Sequence, residues 1–345
     1  MSITLQPLQL PFLPRGALSE AVLARLTGTD SGADHLALAR EELERAESII
    51  TSDDVQLTLF TLYASAYGSL PYLQADREWD LDLLAIRQLL EDAFERELRA
   101  AVETPDLPEP NSGAVAAALF ALANEDAGPS LSRYFAKHAT LPQAQEFFKQ
   151  RSIYTLREAD PHSWAIPRLH GRAKAAMVEI QADEYGGGRP DRVHAQIYAK
   201  AMRGADLDDT YGAYVDVVPA ITLASHNMMS MFGLNRRLLG AIVGHLAAFE
   251  MTSSIPNRLY GDGLRRLGYG EEVTDYFDEH VEADAVHEQI AAHDLAGSLA
   301  EDRPELLPDI MFGAAACLTV DGWVGAHQLR AWKEGGSSLR ERRTA

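Results

Sequence analysis

Between Phe277 and Gln289 the chain reads FDEHVEADAVHEQ, which sets His280, Asp284 and His287 four and three residues apart. An α-helix turns by about 100° per residue, so Asp284 stands ~40° from His280 in one sense and His287 ~20° in the other. All three project from one face over two turns. Imidazole nitrogen with carboxylate oxygen is a ligand set that iron, manganese and zinc accept. Three groups fall short of a site, so other helices must supply partners.

A buried carboxylate is costly unless it is paired or bound to metal. Acids on the apolar stripe of a helix are therefore the next candidates. Glu250, in LLGAIVGHLAAFEMTSS, shares its stripe with Ala247, Leu246, Val243, Ile242 and Leu239. Glu184, in GRAKAAMVEIQADEYGGG, shares one with Ile180, Met177, Ala176 and Ala173. It also lies in a last helical turn, where the helix dipole disfavours an acid. Glu179 and Asp183 fall further round and read as surface or supporting acids.

His194, in RPDRVHAQIYAKAM, is accompanied by Ile197, Tyr198 and Ala201. Asp191, one turn earlier, is open between a ligand, a supporting acceptor and a helix cap. Glu158, with Tyr154 one turn before it, ends a segment broken by Asp-Pro; capping or a salt bridge is the competing reading. His162, His170, His226, His245 and His293 have no comparable carboxylate spacing and read as structural or supporting. Asp321 and His327 rank lower as candidates. Three His with three or four carboxylates exceed the two His and one carboxylate of a mononuclear facial site. They suit two metals bridged by carboxylates inside a helical bundle. The paired Glu-x-x-His motifs of ferritin-like sites do not occur here.

The elements that must position these groups all read as helical. No run of alternating β-branched residues bounded by turns is evident, so the expected class is all-α. Helices are expected at about 17–27, 32–49 and 54–69, and across Glu78–Val102. TPDLPEPNSG, residues 104–113, is the best boundary. Later helices are expected at about 167–185, stopping at GGGRP, and at 191–204. Another is expected at 211–231, with a kink or break at Pro219. Asn235 is a good N-cap for a helix ending at SSIP, residues 253–256. The last two are expected at 271–295 and 305–334.

With 345 residues, 46% of them hydrophobic, the chain can bury a sizeable core. A net charge of −20 argues against nucleic acid, whose phosphates demand a basic surface, and against anionic membranes. Cys317 is the only cysteine, so neither a disulfide framework nor a thiolate zinc site forms within one chain. The start, MSITLQPLQLPFLPRG, lacks a basic segment followed by a long apolar run, and no apolar stretch reads as transmembrane. A cytoplasmic location is expected.

Taken together, DEYGGGRPDRVHAQIY, GHLAAFEMTSSIPNRLYGDGLRRLG and the His280-Asp284-His287 helix resemble the haem-oxygenase-like diiron oxidases and oxygenases, the iron-containing redox enzymes. The resemblance covers roughly residues 150–335. It implies a haem-oxygenase-like helical bundle at 111–335, an additional N-terminal helical region at 1–110 for packing or dimerisation, and a polar tail at 336–345. It implies a metal set of Glu158, Glu184, His194, Glu250, His280, Asp284 and His287. Glu250 would bridge, and Asp191 competes with Glu184 for an extra carboxylate role. It further implies two Fe ions, O2 as co-substrate and an external reductant. The implied substrate is small and organic, such as an amine, amino acid or fatty acid, and the expected assembly is a homodimer. Two other readings stand beside it. One is a non-enzymatic helical metal-binding or dimerisation protein. The other is a haem or tetrapyrrole binder, against which the inward acids would repel propionates.

Overall fold

A computed structural model describes residues 10–29, 32–125, 128 and 130–341; the side chains of 282–285, Asp284 among them, lie outside the described residues. As the periodicity predicts, the regular elements are helices, and no strand occurs among the described residues. In chain order they are α1 (Ala17–Thr27), α2 (His35–Arg45), α3 (Asp53–Tyr67), α4 (Leu81–Ala101), α5 (Ser112–Ala123), α6 (Leu131–His138), α7 (Leu141–Thr155) and α8 (Asp160–Ser163). They continue with α9 (Gly171–Glu184), α10 (His194–Gly204), α11 (Ala220–Leu234), α12 (Leu239–Met251), α13 (Ser254–Arg266), α14 (Glu271–Gln289), α15 (Ser298–Asp302) and α16 (Leu307–Lys333). Several starts are set by capping side chains. Asp34, Ser52, Asn111, Ser130 and Thr140 each accept a backbone N–H of the first turn, which satisfies one orphan donor per helix.

Three boundaries depart from the expected ones, each for a local reason. Pro219 ends more than it kinks. A proline lacks the N–H and pushes the residue before it out of helical geometry, so residues 211–217 run through turns and α11 starts at Ala220. The carbonyls of Val215 and Val218 accept from Arg15 Nη2 at 2.6 and 2.7 Å instead. SSIP opens α13 rather than closing α12, because Pro256 falls in a first turn, where its missing donor costs nothing. The helix expected over 271–295 leaves α geometry after Gln289. Residues Ile290–Gly297 are π-helical, and Ser112 Oγ donates to the His293 carbonyl there at 2.8 Å.

The chain divides into two compact units. One comprises Met1–Leu98, Thr210–Asn227 and Leu339–Ala345. Its core holds Phe12, Val22, Leu26, Phe60, Tyr63, Ile86 and Phe94. The buried Arg15 is tied to Asp53 at 2.9 Å. No sequence signal marks residues 210–227 as part of this unit.

The other unit comprises Arg99–Asp209 and Met228–Ser338 and carries every candidate ligand. Its central pair is α12 against α16. A Cβ on Gly244 would come within 1.8 Å of the Ile310 carbonyl oxygen, and one on Gly313 within 2.0 Å of the Ala241 carbonyl oxygen. Glycine at these two positions lets the backbones touch, which fixes the rotation of α12 about its axis and so the direction of Glu250. Pro304–Lys333 is long and apolar enough to span a membrane by composition, which corrects the expectation that no stretch is. Here Ile310, Met311, Ala314 and Cys317 of α16 are buried, as in a core helix. Behind α14 an aromatic cluster of Phe135, Phe147, Phe148, Tyr198, Tyr260, Tyr276 and Phe277 packs in edge-to-face and tilted pairs, with ring centroids 4.5–6.2 Å apart. Burial of each such side chain is worth about 1.5–3 kcal/mol. The cluster is therefore a rigid back wall for the helix that bears the histidines.

Candidate metal centre

Five segments bring the candidate side chains together. Glu158 stands in the turn after α7, Glu184 is the last residue of α9 and His194 the first of α10. Glu250 lies in the last turn of α12, and His280 and His287 lie on α14. All six are buried. Glu158 is turned inward by an unusual backbone. The next residue, Ala159, has φ 72°, a left-handed conformation that disfavours any residue with a Cβ by ~1–3 kcal/mol. Neighbours hold it there. Gln181 Nε2 donates to the Ala159 carbonyl at 2.8 Å and to Ser163 Oγ at 2.7 Å, and Ala159 N donates to Tyr154 Oη at 3.4 Å.

Two groups of ligand atoms result. Glu158, Glu184, His194 and His280 each place one atom within 4.8 Å of the others, and Glu184, Glu250 and His287 do the same. Glu184 belongs to both. Within these groups His194 Nδ1 lies 2.9 Å from Glu184 Oε2, and His287 Nδ1 lies 3.4 Å from Glu250 Oε2. Neither contact has hydrogen-bond alignment, and both ring nitrogens lack a hydrogen-bonding partner. Donor atoms that converge on a shared space are what a cation requires, and a cation bound there would displace the proton that the raised pKa of His287 keeps on its ring.

The outward nitrogens are engaged. His280 Nδ1 donates to the Tyr276 carbonyl at 2.7 Å, which leaves Nε2, 3.5 Å from Glu158 Oε1, as the lone-pair atom. His287 Nε2 donates to the carboxylate of Asp183 at 3.1 Å, which leaves Nδ1 facing Glu250. Such outer hydrogen bonds fix tautomer and ring orientation in metal-binding histidines. Tyr276 supports the group twice more. Its hydroxyl donates to Glu158 Oε1 and Oε2 at 2.7 and 2.9 Å, and its ring lies 4.3 Å from that of His280.

Charge is distributed accordingly. Burial alone would lower the pKa of His194 and His287, but the carboxylates outweigh it. Glu184 raises His194, and Glu250 with Asp183 raises His287 to about 9. Burial would raise Glu158, yet His280, His194 and the Tyr276 hydroxyl bring it below the usual carboxylate range. For Glu250 burial wins and the pKa rises. The cleft at the centre is lined by Tyr154, His162, Gln181, Leu246, Phe249 and Ser253 besides the ligand groups, and its free space of about 10 Å³ is close to that of one water.

Residues 145–322 match the sequence profile of a family described as iron-containing redox enzymes. The chain belongs to that family. No curated protein matches it. The profile spans the turn of Glu158 and the helices of Glu184, His194, Glu250, His280 and His287, so the buried cluster that could hold a metal ion lies inside the matched region. The donor chemistry fits, because mixed imidazole and carboxylate sets suit iron.

The remaining predicted residues fall elsewhere. Asp191 is exposed in the short turn Pro190–Arg192 and joins neither group. His327 Nε2 donates to the Ser338 carbonyl at 3.1 Å. Tyr276, which spacing did not single out, stands one helical turn before His280. Reading α14 one turn further back along the same face would have found it.

Proposed function

We propose that this iron-containing redox enzyme is a non-haem diiron oxidase or oxygenase acting on a small organic substrate, with electrons from an external reductant. The observation that carries this reading is Glu184, one carboxylate shared by two buried ligand groups that each contain histidine. One ion would be held by Glu158, Glu184, His194 and His280, and a second by Glu184, Glu250 and His287. Iron so bound supplies one-electron redox chemistry and open positions for O2.

The protein's own part is support. Tyr276 orients both the Glu158 carboxylate and the His280 ring. Asp183 fixes His287, with its Nε2 proton directed outward. Leu246 and Phe249 line the cleft with apolar surface that keeps bulk water away.

Anaerobic titration with Fe(II), followed by iron analysis and Mössbauer spectroscopy, tests the reading. About two irons per chain in a coupled pair is the expected result, with O2 uptake after mixing. Saturation at one iron, or O2 uptake no faster than by free Fe(II), overturns it.

A further inference from the structure

The six ligand side chains are all buried, so a protein reductant cannot touch iron held among them. Its electrons must cross protein. One continuous run of rings leads outward from the cluster. Tyr276, whose hydroxyl donates to Glu158, lies 5.2 Å from Phe277, centroid to centroid, and Phe277 lies 6.2 Å from Tyr260. Phe135 follows at 5.4 Å, Trp332 at 6.5 Å and Tyr134 at 6.2 Å. Every step is within the range of ordinary ring contact. Electron tunnelling weakens far less across touching atoms than across empty space, and this run has no break.

The run ends at the surface. Trp332 is buried, and its Nε1 donates to Glu146 Oε2 at 2.8 Å, which fixes the indole; Tyr134 is partly exposed. The surface around Tyr134 is basic. On α6, Arg133, Lys137 and His138 are exposed and no acid occurs. On the last turns of α16, Arg330 and Lys333 are exposed, and Glu334 is the acid that follows. Lys137 and His138 stand one turn after Tyr134 on its face of α6, and Lys333 adjoins Trp332. Arg133, Lys137, Arg330 and Lys333 have no ion-pair partner among the described residues. Elsewhere on the same unit the exposed Arg172, Arg203 and Arg265 are answered by Asp294, Asp209 and Asp278. In a chain of net charge −20, unanswered cations where the rings surface make this face the complement of an acidic partner.

We propose that the face around Tyr134, Lys137 and Lys333 docks an acidic one-electron carrier protein, whose electrons reach the iron site through the rings from Tyr134 to Tyr276. Each transfer oxidises the carrier by one electron and reduces one Fe(III) to Fe(II); no bond forms or breaks. The basic face orients a partner that the rest of the surface repels. The electron acceptor rests on the diiron reading of the site, whereas docking needs no iron.

A plant-type [2Fe–2S] ferredoxin, an acidic carrier of one electron, is the probe. Oxidised ferredoxin and the metal-free full chain are joined with a carbodiimide, which links a lysine amine to a carboxylate, and the links are mapped by mass spectrometry. They should concentrate on Lys137 and Lys333. In the iron-loaded chain, oxidised to Fe(III), reduced ferredoxin should form Fe(II) at a rate that falls about tenfold or more from ~0.01 M to ~0.15 M salt. Lys137→Glu combined with Lys333→Glu should slow this reduction by about tenfold or more. Iron content and reduction by dithionite, which needs no docking, should stay as in the wild type. Tyr134→Leu, which shortens the run at its outer end, should slow reduction by ferredoxin and keep the links. Links absent from both lysines, or a wild-type rate in the double variant, overturn the docking face. A wild-type rate in Tyr134→Leu overturns the rings as the path. If the chain binds no iron, the diiron reading fails, and the links, formed without iron, still decide the docking face.

Discussion

Two sets of buried histidines sit within one helical unit, and their surroundings push them in opposite directions. His194 and His287 face carboxylates, which raise their pKa against burial, to about 9 for His287. His162 and His245 face each other and aromatic rings, and burial drives both pKa values down, to about 3 for His162. Burial therefore does not assign a histidine's role. The charge opposite it does. Where acids converge, the rings are poised to share a cation; where they do not, the rings stay neutral and fixed.

The largest test of this contrast is Glu184→Ala. It removes the one carboxylate common to both ligand groups. Iron affinity should fall by more than the ~10–100-fold that loss of an outer hydrogen-bond partner costs, and neither ion should be retained. Glu158→Ala touches only one group and should leave part of the iron bound. Iron per chain after desalting checks both. Equal iron in Glu184→Ala and wild type would break the claim that the two groups are joined.

Acid stability of the metal-free protein separates the two sets by sign. His162 and His245 have folded pKa values below the unfolded one of ~6.5. The unfolded chain thus takes up protons that the folded chain refuses as pH falls from ~6.5 toward 3. Stability should drop across that window, by up to ~1.4 kcal/mol per pH unit for each ring. His287 does the reverse. Its folded pKa is raised, so its contribution is complete below ~6.5 and is lost as pH climbs through about 9. Denaturant midpoints should fall on both sides, and His245→Phe should flatten the acid limb only. An unchanged acid limb in that variant would place the two rings outside the acid response.

The buried cluster was legible because each helix imposes its own register. An acid or histidine on an apolar stripe must point inward, and Glu184, His194, Glu250, His280 and His287 are all found there. Glu158 was the weakest signal since its direction comes from a strained turn at Ala159, which no periodicity encodes. The His162–His245 pair was invisible for another reason. Its members are 83 positions apart, and they meet only because Gly233 lets α11 lie against the Pro161 carbonyl and α12 bring His245 to α8. Pro219 marked its break correctly, but nothing local told that the turns before it and the first part of α11 would belong to the unit of α1–α4.

Tyr276→Phe should have a smaller effect than loss of a ligand. The hydroxyl bonds both oxygens of Glu158, while the ring packing against His280 and Tyr198 is kept. Loss of a hydrogen bond to a buried charged group costs ~1.5–3 kcal/mol, and iron affinity should weaken by ~10–100-fold. His280 should keep its tautomer, because the acceptor of its Nδ1–H is the Tyr276 backbone. A change in the His280 nitrogen shifts would show that the hydroxyl, not the carbonyl, sets that ring.

Asp183→Asn is the mildest test and the sharpest for the second group. Asp183 is 62% exposed, so water screens its charge, and its pairing with His287 is worth at most about 1 kcal/mol. The amide still offers an oxygen to His287 Nε2–H, so the ring should hold its orientation. Iron content should stay near that of the wild type. The removed charge should make His287 less basic, shifting the loss of metal-free stability at alkaline pH to lower values. Glu250 remains to raise the ring, which limits how far the limb can move. An alkaline limb unmoved by Asp183→Asn would mean that Glu250 alone holds His287. The outer carboxylate would then be a surface contact and no part of the site.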